Sequence, residues 1–260
     1  MPDFASIDGT VLHVDHRAGT GRPVVFLNSL GTDLRIWDAV AARLPAATPL
    51  LRMDKRGHGL SQTAPADMGR YAADVARLMD DRGLAGALVC GVSVGGQIAQ
   101  ALALARPDLV AGLLLSNTGA RIGDRATWDT RLDALATHGL AAMADAVLER
   151  WFSPAFRDAR PAELEGYRAM LTRTPAEGYG ICCAAIRDTD LRGRAAEIRV
   201  PALCLAGSAD LATPPALLAD LAARLPDAEY REIDGAGHLP CIEAPDQVTD
   251  AIKTLDDRLP

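Results

Sequence analysis

The sequence predicts an α/β protein whose mainly parallel sheet is covered by helices on both faces. Three observations support this prediction. Short continuous apolar runs, typical of strands buried on both faces, alternate with segments of helical periodicity. A Gly-x-Ser-x-Gly pentapeptide at residues 91–95 lies between such a run and a helical segment. From 121 to 192 the alternation stops, and helical segments follow one another without a convincing strand. We therefore expect a core of residues 1–120 and 193–260, with a helical lid at 121–192.

The predicted elements of the core follow in a regular order. A weakly alternating segment at residues 10–14 predicts an early antiparallel strand at the edge of the sheet. Apolar runs predict buried strands at 23–27, 49–54, 87–90, 110–115 and 200–206, and a further strand is predicted at 229–233. Apolar residues at helical spacing predict helices at 36–44, 71–79, 97–105, 215–225 and 246–255, and in the lid at 127–138 and 140–151. A glycine-rich segment at 55–61 predicts a tight turn.

The pentapeptide is the centre of the functional prediction. A sharp turn from strand to helix would hold Ser93 at its tip. Gly91 and Gly95 suit this turn, because a side chain at either position would clash where strand and helix approach each other. The new helix would direct free amide groups and its positive dipole end toward an anion near Ser93. The alternative is a glycine-rich turn without chemistry, since the pentapeptide alone is a modest signal.

An acid and a base follow in the order that such a nucleophile requires. Asp210 lies just beyond the strand predicted at 200–206, at the sheet edge where ligands bind in open α/β sheets. His238 lies in a glycine-rich loop after the next predicted strand. His238 would remove the proton of Ser93 and later protonate the leaving group, while Asp210 would hold the imidazole in the useful tautomer. The sequence therefore predicts a catalytic triad of Ser93, Asp210 and His238.

Backbone amides complete this predicted site. The amide of Val94, at the start of the helix after Ser93, and the amide of Leu30, in the loop after the strand at 23–27, would form the oxyanion hole. Asp234 is the rival acid, nearer to His238 in sequence but placed before the glycine loop. His58 lies in the predicted tight turn, and we expect it to be structural. No group of histidine and carboxylate residues has metal-ligand spacing, so no metal is expected.

Composition excludes several functional classes. Apolar residues make up 49% of the 260 residues, which is enough for a sizeable core. The formal net charge of −7 and the scattered arginines argue against a nucleic-acid partner. The most membrane-like segment, 87–105, is better explained as a core strand and helix. Five cysteines without metal spacing and a first segment without signal-peptide features lead us to expect a soluble, cytoplasmic protein.

Along nearly its whole length the sequence resembles the α/β-hydrolase family, and within it the 3-oxoadipate enol-lactonases. The triad motifs mark only the superfamily, whereas the lid segments and the run at 213–215 narrow the choice. The resemblance rests on residues 28–32 with Trp37, 54–59, 90–93, 116–118, 150–152, 178–179, 182–183, 187–191, 210–215 and His238. Three positions depart from the pattern, namely Val94, where such enzymes often have methionine, and the pair Pro240 and Cys241.

The resemblance implies hydrolysis of a five-membered enol-lactone with an acetate arm, giving 3-oxoadipate, in the β-ketoadipate route of protocatechuate or catechol breakdown. It implies no cofactor and a small anionic lactone as the substrate. One cation should meet the substrate carboxylate, and Arg131, one helical turn from Trp128, is our candidate. Trp128 and Trp151 are candidate pocket residues, although lid packing is an alternative for both tryptophans and a surface position for Arg131.

Two other functions remain open from the sequence. The nearest is another serine hydrolase on the same scaffold, such as an esterase, another lactonase or a carbon–carbon bond hydrolase. The more distant one is a ligand-binding receptor that kept the fold. An intact set of nucleophile, acid and base argues against a receptor, because a protein that only binds has no need of all three.

Overall fold

The computed structural model describes residues 2–259, except for the side chain of Pro2, and contains the predicted sheet. Eight strands pair in the order β1-β2-β4-β3-β5-β6-β7-β8. The pairs from β4 to β8 are parallel, whereas β2 is antiparallel to both β1 and β4. The strands are β1 (Pro2–Ile7), β2 (Thr10–Arg17), β3 (Val24–Leu27), β4 (Leu50–Met53), β5 (Ala87–Val92), β6 (Val110–Ser116), β7 (Ala202–Gly207) and β8 (Ala228–Ile233).

Helices cover the sheet, and the strands between them are buried as their apolar runs predict. Every residue of β3, β5 and β7 is buried. This burial is typical of parallel strands covered on both faces. The core helices are α1 (Asp38–Ala41), α2 (Met68–Arg82), α3 (Val94–Ala105), α9 (Pro215–Arg224), α10 (Pro240–Glu243) and α11 (Pro245–Asp256).

Five helices lie between β6 and β7, inside the stretch where the sequence predicts the lid. They are α4 (Arg125–Ala142), α5 (Ala144–Trp151), α6 (Pro154–Ala159), α7 (Pro161–Thr172) and α8 (Ala176–Arg187). The two lid helices predicted from periodicity correspond to α4 and α5, and Gly139 breaks the regular backbone of α4 with a φ of 74°. The division of the chain at residues 121 and 192 stays a prediction.

Two details of the predicted fold are wrong. The strand predicted at the sheet edge is β2, which is antiparallel as expected but lies second, because β1 pairs along its outer side. The helix predicted at 36–44 is a short 3-10 turn, Leu34–Trp37, followed by the single turn of α1. Asp33 caps the 3-10 turn through a bond from the amide of Arg35. Pro45 disfavours a helical backbone at Leu44, so the helix does not reach the predicted end.

The lid packs closely on the core. A Cβ atom added to Gly57 would lie 2.4 Å from Cα of Gly178 in α8, so the two backbones touch where the turn at 55–61 meets the lid. The apolar core is continuous from the sheet into the lid and includes Trp128, Trp151 and Tyr179. In the described part of the chain, no helix has both the length and the apolar character to cross a membrane.

Candidate active site

The turn between β5 and α3 has the geometry that its glycines predict. Ser93 has a φ of 61°, in the left-handed region that few residues other than glycine adopt. A Cβ atom on Gly91 would lie 2.3 Å from the carbonyl oxygen of Gly95, and one on Gly95 would lie 2.2 Å from that of Leu27. No side chain fits at either position. The strained turn holds Ser93 at the carboxyl edge of the sheet.

Asp210 and His238 come together beside this turn. Nδ1 of His238 lies 2.9 Å from Oδ2 of Asp210, and both side chains are buried. An ionised carboxylate only accepts hydrogen bonds, so the proton of this pair belongs on Nδ1, and Nε2 is left as the basic nitrogen. Ser93 and His238 line the same cavity. The three predicted triad residues are therefore gathered at one edge of the sheet.

Four groups besides His238 stabilise the Asp210 carboxylate. The backbone amides of Ala212 and Thr213 donate to Oδ1 over 2.7 and 3.0 Å. The Asn117 amide donates to Oδ2 over 2.7 Å, and the Thr213 hydroxyl lies 2.7 Å from the same oxygen. Burial alone would raise the pKa of Asp210, but the charge of His238 and the hydrogen bonds from His238, Asn117 and Thr213 outweigh it and hold the pKa below its usual value.

Asn117 and Thr213 both bind the Asp210 carboxylate, a role that the sequence analysis did not assign to them. Asn117 has a φ of 47°, and its amide also donates to the carbonyl oxygen of Gly237 over 3.2 Å, next to His238. It thus fixes both the acid and the loop that carries the base. A sequence signal existed for Asn117, since it is a polar residue directly after a central strand.

A cavity opens above Ser93 and His238 between the sheet edge and the lid. Leu30 and Ser29 line it from the loop after β3. In the described chain, the amide of Leu30 donates no hydrogen bond to a protein group. Val94 begins α3, so its amide is one of the four that a helix leaves without an internal acceptor. Both amides proposed for the oxyanion hole are thus available to an incoming oxyanion.

The match to known proteins decides the family. The model of the alpha/beta hydrolase family matches residues 24–251. The chain belongs to the α/β hydrolase family. It is 34% identical over 192 residues to 3-oxoadipate enol-lactonase 2 of Acinetobacter baylyi, covering 73% of this chain and 72% of the relative. It is 31% identical over 234 residues to 3-oxoadipate enol-lactonase 1 of the same species, covering 86% and 84%.

A solved structure gives the same result. The enol-lactonase from Burkholderia xenovorans LB400 superposes with a TM-score of 0.93 at 38% identity, covering 97% of this chain and 99% of that one. The resemblance to 3-oxoadipate enol-lactonases is confirmed, and the protein is a hydrolase of the ester type.

The lid of this α/β hydrolase brings two arginines to the cavity. Arg131 from α4 donates to the Tyr179 hydroxyl over 3.0 Å, and its guanidinium carbon lies 5.5 Å from the ring centre of Trp128. Arg150 from α5 lines the cavity as well, although the sequence analysis did not name it as a ligand. Burial lowers the pKa of Arg150, and the charge of Arg131 lowers it further. Neither arginine forms an ion pair within residues 2–259.

Both predicted tryptophans line the cavity and also pack the lid. Trp128 is buried, and its indole N–H donates to the carbonyl oxygen of Ile122 over 2.6 Å. Trp151 is buried, and its carbonyl oxygen accepts the backbone N–H of His238 over 2.9 Å. The two alternatives for these residues are therefore combined, because each tryptophan belongs to the apolar core and also lines the cavity.

A second contact joins the lid to the loop of His238. Oε1 of Glu243 accepts the backbone N–H groups of Ser153 and Gly237 over 3.2 and 3.1 Å. Oε2 accepts the Ser153 hydroxyl over 2.5 Å. Ser153 caps α6 in the lid, whereas Gly237 precedes His238. The start of α6 and the loop of the base are thus held by one carboxylate.

The rival residues lie elsewhere. Asp234 is exposed, and its carboxylate accepts from the Ser208 hydroxyl rather than from His238. His58 is fully buried outside the cavity lining, with Nδ1 3.2 Å from the carbonyl oxygen of Arg56. Burial lowers the pKa of His58 well below its usual value. No cluster of potential metal ligands occurs among the residues that the structure describes.

Proposed function

We propose that this α/β hydrolase opens 3-oxoadipate enol-lactone to 3-oxoadipate through a serine acyl-enzyme. The observation that carries the proposal is the pair Arg131 and Arg150, which line the cavity that contains Ser93 and His238 and form no ion pair with any described residue. A lactone with a carboxylate arm offers one group for acylation and one for guanidinium binding. The names of the similar proteins support the same substrate.

The chemistry follows from the roles of the three proposed catalytic residues. Ser93 attacks the lactone carbonyl while His238 takes its proton, and Asp210 stabilises the imidazolium. The amides of Leu30 and Val94 bind the oxyanion that forms. Collapse of this intermediate breaks the bond to the ring oxygen, which leaves as an enol protonated by His238. The enol becomes a ketone, so ring closure is disfavoured, and water activated by His238 then releases the acid from Ser93.

The proposal also covers how the substrate is bound in the cavity. Trp128 and Trp151 form walls for the ring, while Arg131, with Arg150 beside it, binds the acetate arm. The reaction needs no cofactor, since the nucleophile, the base and the oxyanion donors are all protein groups. A role in protocatechuate or catechol breakdown in the cytoplasm belongs to the same proposal.

The direct test is to add purified protein to the enol-lactone and follow the loss of its ultraviolet absorbance. We expect turnover in the wild type and a loss of about 10⁴-fold or more in Ser93→Ala, because the nucleophile is removed while the fold is kept. Wild-type activity no higher than that of Ser93→Ala would reject the proposal.

The same assay separates the alternatives. A general esterase would hydrolyse p-nitrophenyl acetate faster than the enol-lactone, and a carbon–carbon bond hydrolase would prefer a diketone to both. A receptor would give no covalent adduct at Ser93 with a fluorophosphonate. Labelling of wild type but not of Ser93→Ala would reject the receptor whatever the preferred substrate is.

A further inference from the structure

Lys55 is a buried cation that the triad does not use. Its side chain is 4% exposed, and its ammonium donates to the carbonyl oxygen of Ser29 over 2.6 Å. In the part of the chain that the structure describes, Lys55 forms no ion pair. A buried charge without a carboxylate partner is costly for folding, since its water shell is lost without full replacement. We therefore expect the charge of Lys55 to act on the group that it contacts.

The group in question is the peptide between Ser29 and Leu30. A trans peptide is planar, and its C=O and N–H bonds point in opposite directions. No cis peptide occurs among the described residues. With Lys55 at the carbonyl oxygen of Ser29, the N–H of Leu30 points away from the ammonium. Both residues line the cavity that contains Ser93.

We propose that Lys55 is a positioning residue that polarises the Ser29–Leu30 peptide and so strengthens the Leu30 N–H as an oxyanion donor. A positive charge at the carbonyl oxygen draws electron density through the amide and increases the positive charge on its hydrogen. The ammonium is also buried, in a region where charges interact more strongly than in water. The inference rests on the oxyanion role proposed for Leu30, and it does not depend on which ester or lactone is hydrolysed.

The alternative function for Lys55 is to hold the shape of the loop. Thr32 already supplies that support, because its hydroxyl donates to the same Ser29 oxygen over 3.0 Å and its backbone N–H over 3.4 Å. A neutral donor is enough to hold a carbonyl group, whereas polarisation requires a charge. Thr32 is therefore the matched control, being a neutral donor to the same acceptor.

Titration of the ammonium gives an independent observable. Burial lowers the pKa of Lys55 to about 8, and the charges of Asp54 and Asp33 and the Cys182 thiol of α8 oppose this effect. His58, on the same turn, faces Lys55 as well, and the Lys55 charge helps to keep it neutral. As pH rises through about 8 the ammonium loses its charge, so polarisation, and with it kcat, should fall.

The experiment compares Lys55→Met with Thr32→Val on p-nitrophenyl acetate and on the enol-lactone. Methionine is unbranched, only one atom shorter than lysine, and suits the apolar residues Leu27, Met53 and Val75 beside Lys55. We expect kcat to fall roughly 10- to 100-fold in Lys55→Met, with KM within about threefold, and kcat to fall only about two- to threefold in Thr32→Val. The ratio of wild-type to Lys55→Met kcat should decline toward one above pH 8.

Equal losses in the two variants, or a ratio that stays constant with pH, would overturn the proposal. If Lys55→Met does not fold, the wild type decides alone, because a kcat that is flat from pH 7 to pH 10 contradicts the inference. Cys182→Ala should keep the alkaline decline, since its thiol is not the titrating group, and loss of the decline in this variant would count against Lys55. Activity on the ester without activity on the lactone rejects the proposed substrate but leaves this test intact.

Discussion

The sheet edge and the lid face each other across the cavity, and they hold their polar groups by different means. On the sheet side, five groups lie within hydrogen-bond distance of the Asp210 carboxylate. Glycines also fix the turn around Ser93. On the lid side, Arg131 has one hydrogen bond to a neutral hydroxyl, and Arg150 forms no ion pair in the described chain. The groups proposed to break the bond are thus held by several contacts, whereas the arginines proposed to bind the substrate carboxylate have no ion-pair partner among the described residues.

The largest expected effect comes from the sheet side. Asp210→Asn should lower kcat by about 10⁴-fold on the enol-lactone and on a neutral ester alike, because the imidazole loses its tautomer and its counter-charge. Because the pKa of Asp210 is lowered, its carboxylate stays ionised at every pH above the usual pKa of an aspartate. The loss of kcat in Asp210→Asn should therefore not depend on pH in that range. Steady-state kinetics on both substrates measure it.

Asp234→Asn is the control for this variant. It changes an exposed carboxylate whose partner is Ser208, and we expect wild-type kinetics. A loss of kcat in Asp234→Asn as large as in Asp210→Asn would contradict the assignment of Asp210 as the acid that orients His238.

A smaller and selective effect is expected from the lid side. Arg131→Met and Arg150→Met should each raise KM for the anionic lactone by about 10- to 100-fold, because a charge-assisted bond to the carboxylate is lost. Hydrolysis of p-nitrophenyl acetate should change by less than about threefold. Arg168→Gln, which removes a lid arginine paired with Asp145, is the matched control and should leave both reactions unchanged. Equal losses on the two substrates would exclude carboxylate binding by the arginine concerned.

The smallest expected effect concerns how the two sides fit together. Gly178→Ala should reduce the free energy of unfolding by about 1–3 kcal/mol, because the new methyl meets the backbone of Gly57. Gly166→Ala, at an exposed position in α7 with no atom near the new methyl, should raise stability by about 0.5–1 kcal/mol. Urea unfolding of both variants measures the difference. Equal stability of the two would show that the close contact at Gly57 can relax.

The sequence predicts those parts of the site and the fold that are determined by one short segment of the chain. The turn at Ser93 follows from five residues, and Asp210 follows a strand whose apolar run is visible in the sequence. His238 lies in a glycine-rich loop after the next strand, β8. The buried strands from β3 to β7 were predictable for the same reason. Their apolar runs correspond to segments that are fully buried in β3, β5 and β7 and buried except for one residue in β4 and β6.

Groups that depend on neighbours distant in sequence could not be predicted. Asn117 reaches Asp210 across 93 positions of sequence because β6 pairs with β7, and periodicity does not give the strand order. Arg150 lines the cavity because of where α5 packs in the folded chain, which the spacing of its apolar residues does not define. β1 was missed because its residues, with Asp3 and Ser6 among them, lack an apolar run.

The hydrogen bond from the backbone N–H of His238 to the carbonyl oxygen of Trp151 joins the loop of the base to α5 in the lid. If the lid lifted as one body, the backbone of the base would lose this partner, and Glu243 would lose Ser153 at the same time. The base would then be held from the sheet side, by the bond between His238 and Asp210 and the bond from Asn117 to Gly237. Packing of the lid would thus add rigidity to an imidazole that the sheet already orients.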